Sequence, residues 1–130
     1  MMGDEGAAGS VPAAALPGSA AQVRVVLVTA PDEESAERLV ETLLAEEVVA
    51  CGNILPGVRS IYRWRGEVER AGEVLVLLKT TARGVARLLE RVPALHPYEV
   101  PEVLVLAVEA GHGPYLDWVI ESVRTVQERD

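Results

Sequence analysis

The sequence predicts an α+β fold in which helices cover one face of an antiparallel sheet. Two observations carry this prediction. Four runs rich in Val and Leu have the length and composition of strands, and amphipathic stretches of helical period separate them. These segments follow one another in the order β-α-β-β-α-β, with a further helical segment at the end. The chain length of 130 residues favours a single domain.

The first half of this order begins with an apolar, β-branched run over residues 23–30, which is typical of a buried strand. Asp32 then provides a helix N-cap, and the apolar residues that follow it recur at helical spacing. A second strand is expected from Val49 to Trp64, with an interruption at Pro56-Gly57. Gly66 marks a hairpin turn into the next strand.

The second half continues with a strand over residues 73–80, after which Thr81 can cap a helix that Pro93 is expected to end. A fourth strand is expected over residues 102–109. Pro114 suits the first turn of a last helix, whose apolar stripe runs to Val126. This order is that of the ferredoxin-like split βαβ sandwich, with an extra C-terminal helix.

Composition limits the classes of function. Residues 1–22 are mostly Ala, Gly, Pro and Ser without a hydrophobic period, so we expect a disordered tail before a folded domain at 23–130. The net charge of −8 argues against nucleic acid as a partner, and no apolar run is long enough for a membrane span. A single cysteine, Cys51, excludes an internal disulfide and fits a cytoplasmic location.

The most informative stretch is the segment from His96 to Glu102, hereafter the proline loop. Pro97 and Pro101 forbid a helix there and stiffen the backbone. His96 is a candidate metal ligand or an anchor that holds the loop by hydrogen bonds. Tyr98 and Glu99 either take part in binding or stabilise the loop or a subunit contact.

Cys51 has two interpretations as well: a small buried side chain beside a strand, or a soft metal ligand. One chain has too few Cys and His residues for a closed structural zinc site, so a metal site needs carboxylates or several chains. The sequence has neither a Walker A pattern nor a G-x-G-x-x-G motif. No convincing catalytic constellation is present, and we expect a protein that is not an enzyme.

The predicted hairpin also suggests how the chain assembles. Fully extended, residues 49–64 would reach ~50 Å at ~3.3 Å per residue, whereas a domain of this size has a radius of gyration of about 13 Å. Tyr62 and Trp64 share one face of this strand. A projecting aromatic hairpin is an aggregation hazard unless another subunit covers it, so we expect a homo-oligomer with these residues in its interface.

Four ordered motifs carry a resemblance to a known family: residues 50–54 (ACGNI), 60–66 (SIYRWRG), 73–80 (EVLVLLKT) and 96–102 (HPYEVPE). The chain resembles the CutA family of divalent-cation tolerance proteins over about residues 23–126. The resemblance implies a homotrimer with the architecture of the PII signalling proteins. Gly52 occupies a position where relatives often carry Val or Ala, which could loosen the backbone beside Cys51.

The resemblance implies that the protein functions in metal tolerance by binding Cu(II) or another divalent cation. It implies no obligatory cofactor. The expected metal residues are His96, Glu99 and Cys51, and Tyr98 and Lys79 are expected at a ligand cleft or loop. The alternative is a PII-like signalling or scaffold module that binds a small ligand or a protein partner between subunits. The sequence points to no particular protein partner.

Overall fold

We describe the protein from a computed structural model, which describes residues 18–124. Four strands form one antiparallel sheet in the order β2-β3-β1-β4. The strands are β1 (Val23–Ala30), β2 (Cys51–Trp64), β3 (Glu67–Thr81) and β4 (Val103–Ala107). The helices are α1 (Gly18–Gln22), α2 (Glu33–Ala45), α3 (Val85–Leu95) and α4 (Gly113–Ser122). The predicted fold class is confirmed, because this strand order is that of the ferredoxin-like sandwich.

The two crossover helices pack on one face of the sheet and form the main core. Alternate residues of the central strands are completely buried there, as at Val26, Val28 and Val76. Leu43 of α2 and Leu88 of α3 meet them from the helical layer. The alternation places the next residues of each strand on the opposite face, so the sheet has a covered and an uncovered side.

The uncovered side is rich in leucine, and we call it the leucine face. Its central-strand residues are half-buried, whereas Leu55, Leu104 and Leu106 are 41%, 53% and 45% exposed. The face comprises Val25, Leu27, Leu55, Leu75, Leu77, Leu104 and Leu106, which strand register places on one side. Such a contiguous apolar surface is typical of an interaction site.

Strands β2 and β3 continue beyond the rest of the sheet as the predicted hairpin. Pairing runs to Trp64 and Glu67, and the two-residue turn between them has φ of 53° at Arg65 and 85° at Gly66. Positive φ at both positions is the signature of a tight turn that matches strand twist. The interruption predicted at Pro56-Gly57 is a register shift between Leu55 and Val58.

Helix ends follow the predicted caps with one exception. The Asp32 carboxylate accepts the Ser35 backbone N–H at 2.7 Å. The Thr81 hydroxyl accepts that of Gly84 at 3.1 Å and so caps a short 3-10 turn, Ala82–Gly84, that leads directly into α3. Pro93 does not end α3, contrary to prediction, and lies inside its last turn. The helix loses one backbone donor there, but the loss falls near its end, where His96 N–H still reaches the Val92 carbonyl.

Part of the expected N-terminal tail is ordered. Residues 18–22, which the sequence placed in that tail, form α1, and Ala20 is only 3% exposed. Ala20 belongs to a second, smaller core with Leu116 and Val119 of α4, and Ser19 Oγ donates to Asp117 Oδ1 at 2.7 Å. The rest of the expected tail, residues 1–17, lies outside the described residues, as does Val126.

Between residues 18 and 124, no helix combines the length and the apolar character needed to cross a membrane.

Candidate functional site

The candidate residues fall into two groups at opposite ends of the leucine face. Cys51 is paired with Lys79 across β2 and β3, while the proline loop lies beside Thr29, which is paired with Leu75. Four positions along β3 therefore separate the groups, roughly 13 Å at the usual rise of a strand. The predicted metal residues Cys51 and His96 are thus not brought together within one chain.

The first group surrounds the thiol of Cys51. Lys79 Nζ lies 3.6 Å from Cys51 Sγ and also donates to the Asn53 side-chain carbonyl. The Tyr115 hydroxyl lies 3.7 Å from the same sulfur, and burial, with the Cys51 contact adding to it, raises the pKa of that phenol. The thiol is half-buried rather than enclosed in the core. A metal cation that binds this sulfur would compete with the Lys79 ammonium for its place.

The second group is built on His96, which ends α3 and is 8% exposed. Its Nε2 lies 2.7 Å from the Thr29 carbonyl oxygen, and its Nδ1 accepts the Tyr98 backbone N–H at 3.0 Å. These partners assign the proton to Nε2, because a carbonyl oxygen only accepts and an N–H only donates. Both ring nitrogens already form hydrogen bonds, so a metal ion could bind to the imidazole only if one of these hydrogen bonds were lost. The geometry supports the loop-anchor interpretation of His96.

Tyr98 makes a second connection between the proline loop and the sheet, in addition to that of His96. Its hydroxyl donates to Glu73 Oε2 at 2.7 Å, and its ring lies 4.8 Å from that of His96. Burial and the Glu73 hydrogen bond raise the pKa of Tyr98, so the phenol keeps its proton as a donor. Glu99, by contrast, is exposed.

The predicted interface residues Tyr62 and Trp64 are each 44% exposed in the isolated chain. The guanidinium of Arg65 lies 5.3 Å from the centre of the Trp64 ring, in a cation–π contact. Their side of β2 faces a groove that the proline loop closes from the opposite side.

Two functional neighbours were missed by sequence reasoning. Glu73 could have been found, because strand alternation puts it on the same face of β3 as Leu75, Leu77 and Lys79. Tyr115 lies on α4, 64 positions from Cys51, and only the docking of that helix brings it to the thiol. Within residues 18–124, no three His, Cys, Asp or Glu side chains converge as metal ligands would.

These features define a class of protein. It is a two-layer α+β sandwich whose uncovered apolar sheet face has a polar group at each end. Residues 24–122 match the family described as CutA1 divalent ion tolerance protein. The chain belongs to this family, and the resemblance noted in the sequence is confirmed.

Individual relatives agree with this assignment. The chain is 50% identical to the divalent-cation tolerance protein CutA of Thermus thermophilus over 98 residues, covering 75% of this chain and 95% of the relative. It is 47% identical to the protein of the same name from Citrobacter koseri over 100 residues, which cover 77% of this chain and 87% of the relative. These names describe tolerance proteins and do not mention an enzymatic activity.

Solved structures give the same result. The structure of the divalent cation tolerance protein Cut A1 from Thermus thermophilus superimposes with a TM-score of 0.77 at 48% identity, covering 78% of this chain and 99% of that one. CutA1 from Oryza sativa also gives 0.77, at 40% identity, with coverage of 79% and 94%. A structure from Archaeoglobus fulgidus, named a periplasmic divalent cation tolerance protein, gives 0.76 at 34% identity, with coverage of 78% and 99%.

Proposed function

We propose that this chain acts in divalent-cation tolerance by binding copper or another divalent cation as a homotrimer, without catalysis and without an obligatory cofactor. The observation that carries the proposal is the family match, which spans residues 24–122 and therefore includes both polar groups and the leucine face between them. The names of the relatives supply a divalent cation without stating which metal, and the contacts of this chain supply the candidate ligands.

The candidate ligands differ in how accessible their donor atoms are. Cys51 Sγ is half-buried with an ammonium beside it, and the Glu99 carboxylate is exposed. His96 would have to give up a hydrogen bond to bind a metal. We therefore propose Cys51 and Glu99 as metal contacts ahead of His96. Thiolate favours soft cations, while carboxylate favours harder ones.

Assembly is part of this proposal, because the described part of one chain provides no convergent set of three ligands. The leucine face and the exposed aromatic residues of β2 support a homo-oligomer, since burying them against other subunits removes apolar area from water. We propose that donors from neighbouring subunits complete the metal site. We also propose that the protein is located in the cytoplasm, because a chain with a single cysteine forms no internal disulfide and suits a reducing compartment.

The test is calorimetric titration of the purified oligomer with Cu(II), Zn(II) and Mg(II) at fixed pH, after its mass has been measured by light scattering. We expect three times the 13.9 kDa chain mass and saturable binding of at least one cation per chain. Cys51→Ser should weaken Zn(II) binding, whereas His96→Ala should not weaken it in protein that is still folded. Absence of binding by all three cations would overturn the proposal.

A further inference from the structure

The hairpin of β2 and β3 has two sides, and its residues alternate between them. Tyr62 and Trp64 are paired with Glu69 and Glu67, on the side that continues the leucine face. The opposite side, which we call the arginine face, comprises Arg59, Ile61, Arg63, Val68, Arg70 and Gly72. It continues the helix-covered side of the sheet and therefore points away from the proposed subunit interface.

The helices do not reach the arginine face. A Cβ at Gly72 would have no atom within 4 Å, and Ile61 and Val68 are 61% and 57% exposed. Arg59, Ile61 and Arg70 line a shallow depression of about 240 Å³ on this face. Common pockets for small molecules measure ~300–1,000 Å³. The face therefore suits an extended partner that lies across it better than an enclosed small molecule.

The guanidinium groups of the arginine face are not neutralised by the chain. Within residues 18–124, no hydrogen bond or ion pair engages Arg59, Arg63 or Arg70. The face itself contains no Asp or Glu. Guanidinium groups bind carboxylates through two parallel hydrogen bonds, so three of them without partners on one surface favour an anionic partner.

The spacing of the side chains indicates the form of this anion. Arg59 and Arg63 lie four positions apart on β2, roughly 13 Å, with Ile61 midway between them and Arg70 paired with Ile61 across the hairpin. In an extended peptide, the side chains on one side recur at every second residue. Acidic, apolar and acidic residues at alternate positions of such a peptide would therefore meet Arg59, Ile61 and Arg63 in turn.

The charge of the whole chain argues for a short partner segment. Because the net charge is −8, an anionic membrane or a nucleic acid would also meet the acidic remainder of the protein. Exposed charges more than ~8 Å apart are largely screened at physiological ionic strength, so a short segment senses mainly the arginine face. We infer that the arginine face docks a short acidic peptide segment of a partner protein, in which carboxylate residues flank an aliphatic residue at alternate positions.

Synthetic peptides test this inference on the full-length oligomer. The probe is a peptide in which Glu, Leu and Glu alternate with Ser, and it carries a neutral fluorophore. One comparison peptide has Gln in place of both Glu residues, and the other has Ser in place of Leu. Fluorescence anisotropy measures binding. We expect saturable binding of the probe, with affinity roughly fivefold or more above that of either comparison peptide.

Matched single variants locate the site on the protein. Arg70→Gln removes a charge from the arginine face, whereas Arg83→Gln removes an equally exposed and unpaired charge from the turn before α3. Ile61→Ser and Leu89→Ser each remove an exposed aliphatic side chain, the first from this face and the second from α3. We expect Arg70→Gln and Ile61→Ser to weaken probe binding roughly threefold or more, and the two control variants to keep the affinity of the parent.

Several results would overturn the inference. The absence of saturable binding would do so directly, and equal losses in Arg70→Gln and Arg83→Gln would show nonspecific attraction. Equal binding of the peptide without Leu would reduce the face to a simple anion patch. Tighter binding of phosphatidylserine vesicles or of a single-stranded oligonucleotide would assign it to another class of partner.

Oligomeric mass provides the last control. A changed mass of the Ile61→Ser variant in light scattering would assign the arginine face to a contact between subunits and overturn its role in docking a peptide. The peptide titrations are made without added metal, so their outcome and that of the calorimetric test at Cys51 are independent.

Discussion

His96 fixes Tyr98 in place by accepting its backbone N–H at Nδ1 over 3.0 Å, two residues along the same loop. The opposite ring nitrogen reaches the Thr29 carbonyl of β1 at 2.7 Å. One imidazole therefore ties the proline loop to the sheet, and Tyr98 extends the connection to Glu73 of β3.

We predict that His96→Ala lowers the free energy of unfolding by about 1–3 kcal/mol, because it leaves the partly buried Thr29 carbonyl and the Tyr98 backbone N–H without their partner. The matched control is His112→Ala, since His112 is exposed and makes no side-chain cap bond. Denaturant unfolding measures both variants. Equal stability of the two would mean that the imidazole is not an anchor.

The leucine face should control assembly. Leu106 on this face and Leu89 on α3 are both 45% exposed in the single chain. If the leucine face is the subunit interface, Leu106→Lys should shift the particle mass towards the monomer, because it would bury a charge without a partner. Leu89→Lys should leave the mass unchanged. Light scattering during size exclusion measures both, and an intact oligomer in the Leu106→Lys variant would move the interface elsewhere.

The docking of α1 can be tested with two adjacent alanines. Ala20 is 3% exposed against α4, whereas its neighbour Ala21 is exposed. Ala20→Glu should lower the melting temperature, because a carboxylate would enter an apolar contact with Leu116 and Val119. Ala21→Glu should have little effect. Identical melting curves would show that residues 18–22 do not contribute to the fold in solution.

Gly52 should resist enlargement. A Cβ at this position would lie 2.9 Å from the methyl groups of Val40 and 3.1 Å from Leu78 Cδ2. Gly52→Ala should therefore destabilise the protein by about 1–3 kcal/mol through overpacking. Adding Val40→Ala should relieve the contact, so the double variant should show a favourable coupling in a double-mutant cycle. Additive losses would mean that the Val40 contact is not the cause.

The N-cap of α2 makes stability depend on acid. Hydrogen bonds from Ser35, the backbone N–H first, lower the pKa of Asp32 below its ordinary value of 3.8. A carboxyl whose pKa falls on folding stabilises the fold above its unfolded pKa and loses that effect as the pH drops through the folded value.

Asp32→Asn should therefore retain a capping side chain but lose this part of the pH dependence. Unfolding curves between neutral pH and the acid range would show it: the stability difference between the parent and Asp32→Asn should shrink as the pH falls below the ordinary value of 3.8. A difference that stays constant across that range would contradict an ionised cap.

Local sequence determined that four strands form, the Asp32 and Thr81 caps and the turn at Gly66, because period and cap chemistry act over short distances. It placed the start of β3 near residue 73, whereas the strand begins at Glu67 as part of the extended hairpin. Pro93 was misjudged because a proline near the end of a helix costs only one bond, which tertiary packing can outweigh. The four motifs determined the family, since they keep their order and spacing throughout the folded part.

Only the tertiary structure decided the contacts of the side chains at the two polar groups. Tyr115 reaches Cys51 through the docking of α4, and Glu73 meets Tyr98 through the folding of the proline loop onto β3. His96 has the residue type of a metal ligand, yet its two ring nitrogens are both engaged by backbone groups, one from a distant strand. Such contacts join residues that are far apart in the chain. Local sequence patterns do not predict them, because only the packing of the folded chain brings these partners within hydrogen-bond distance.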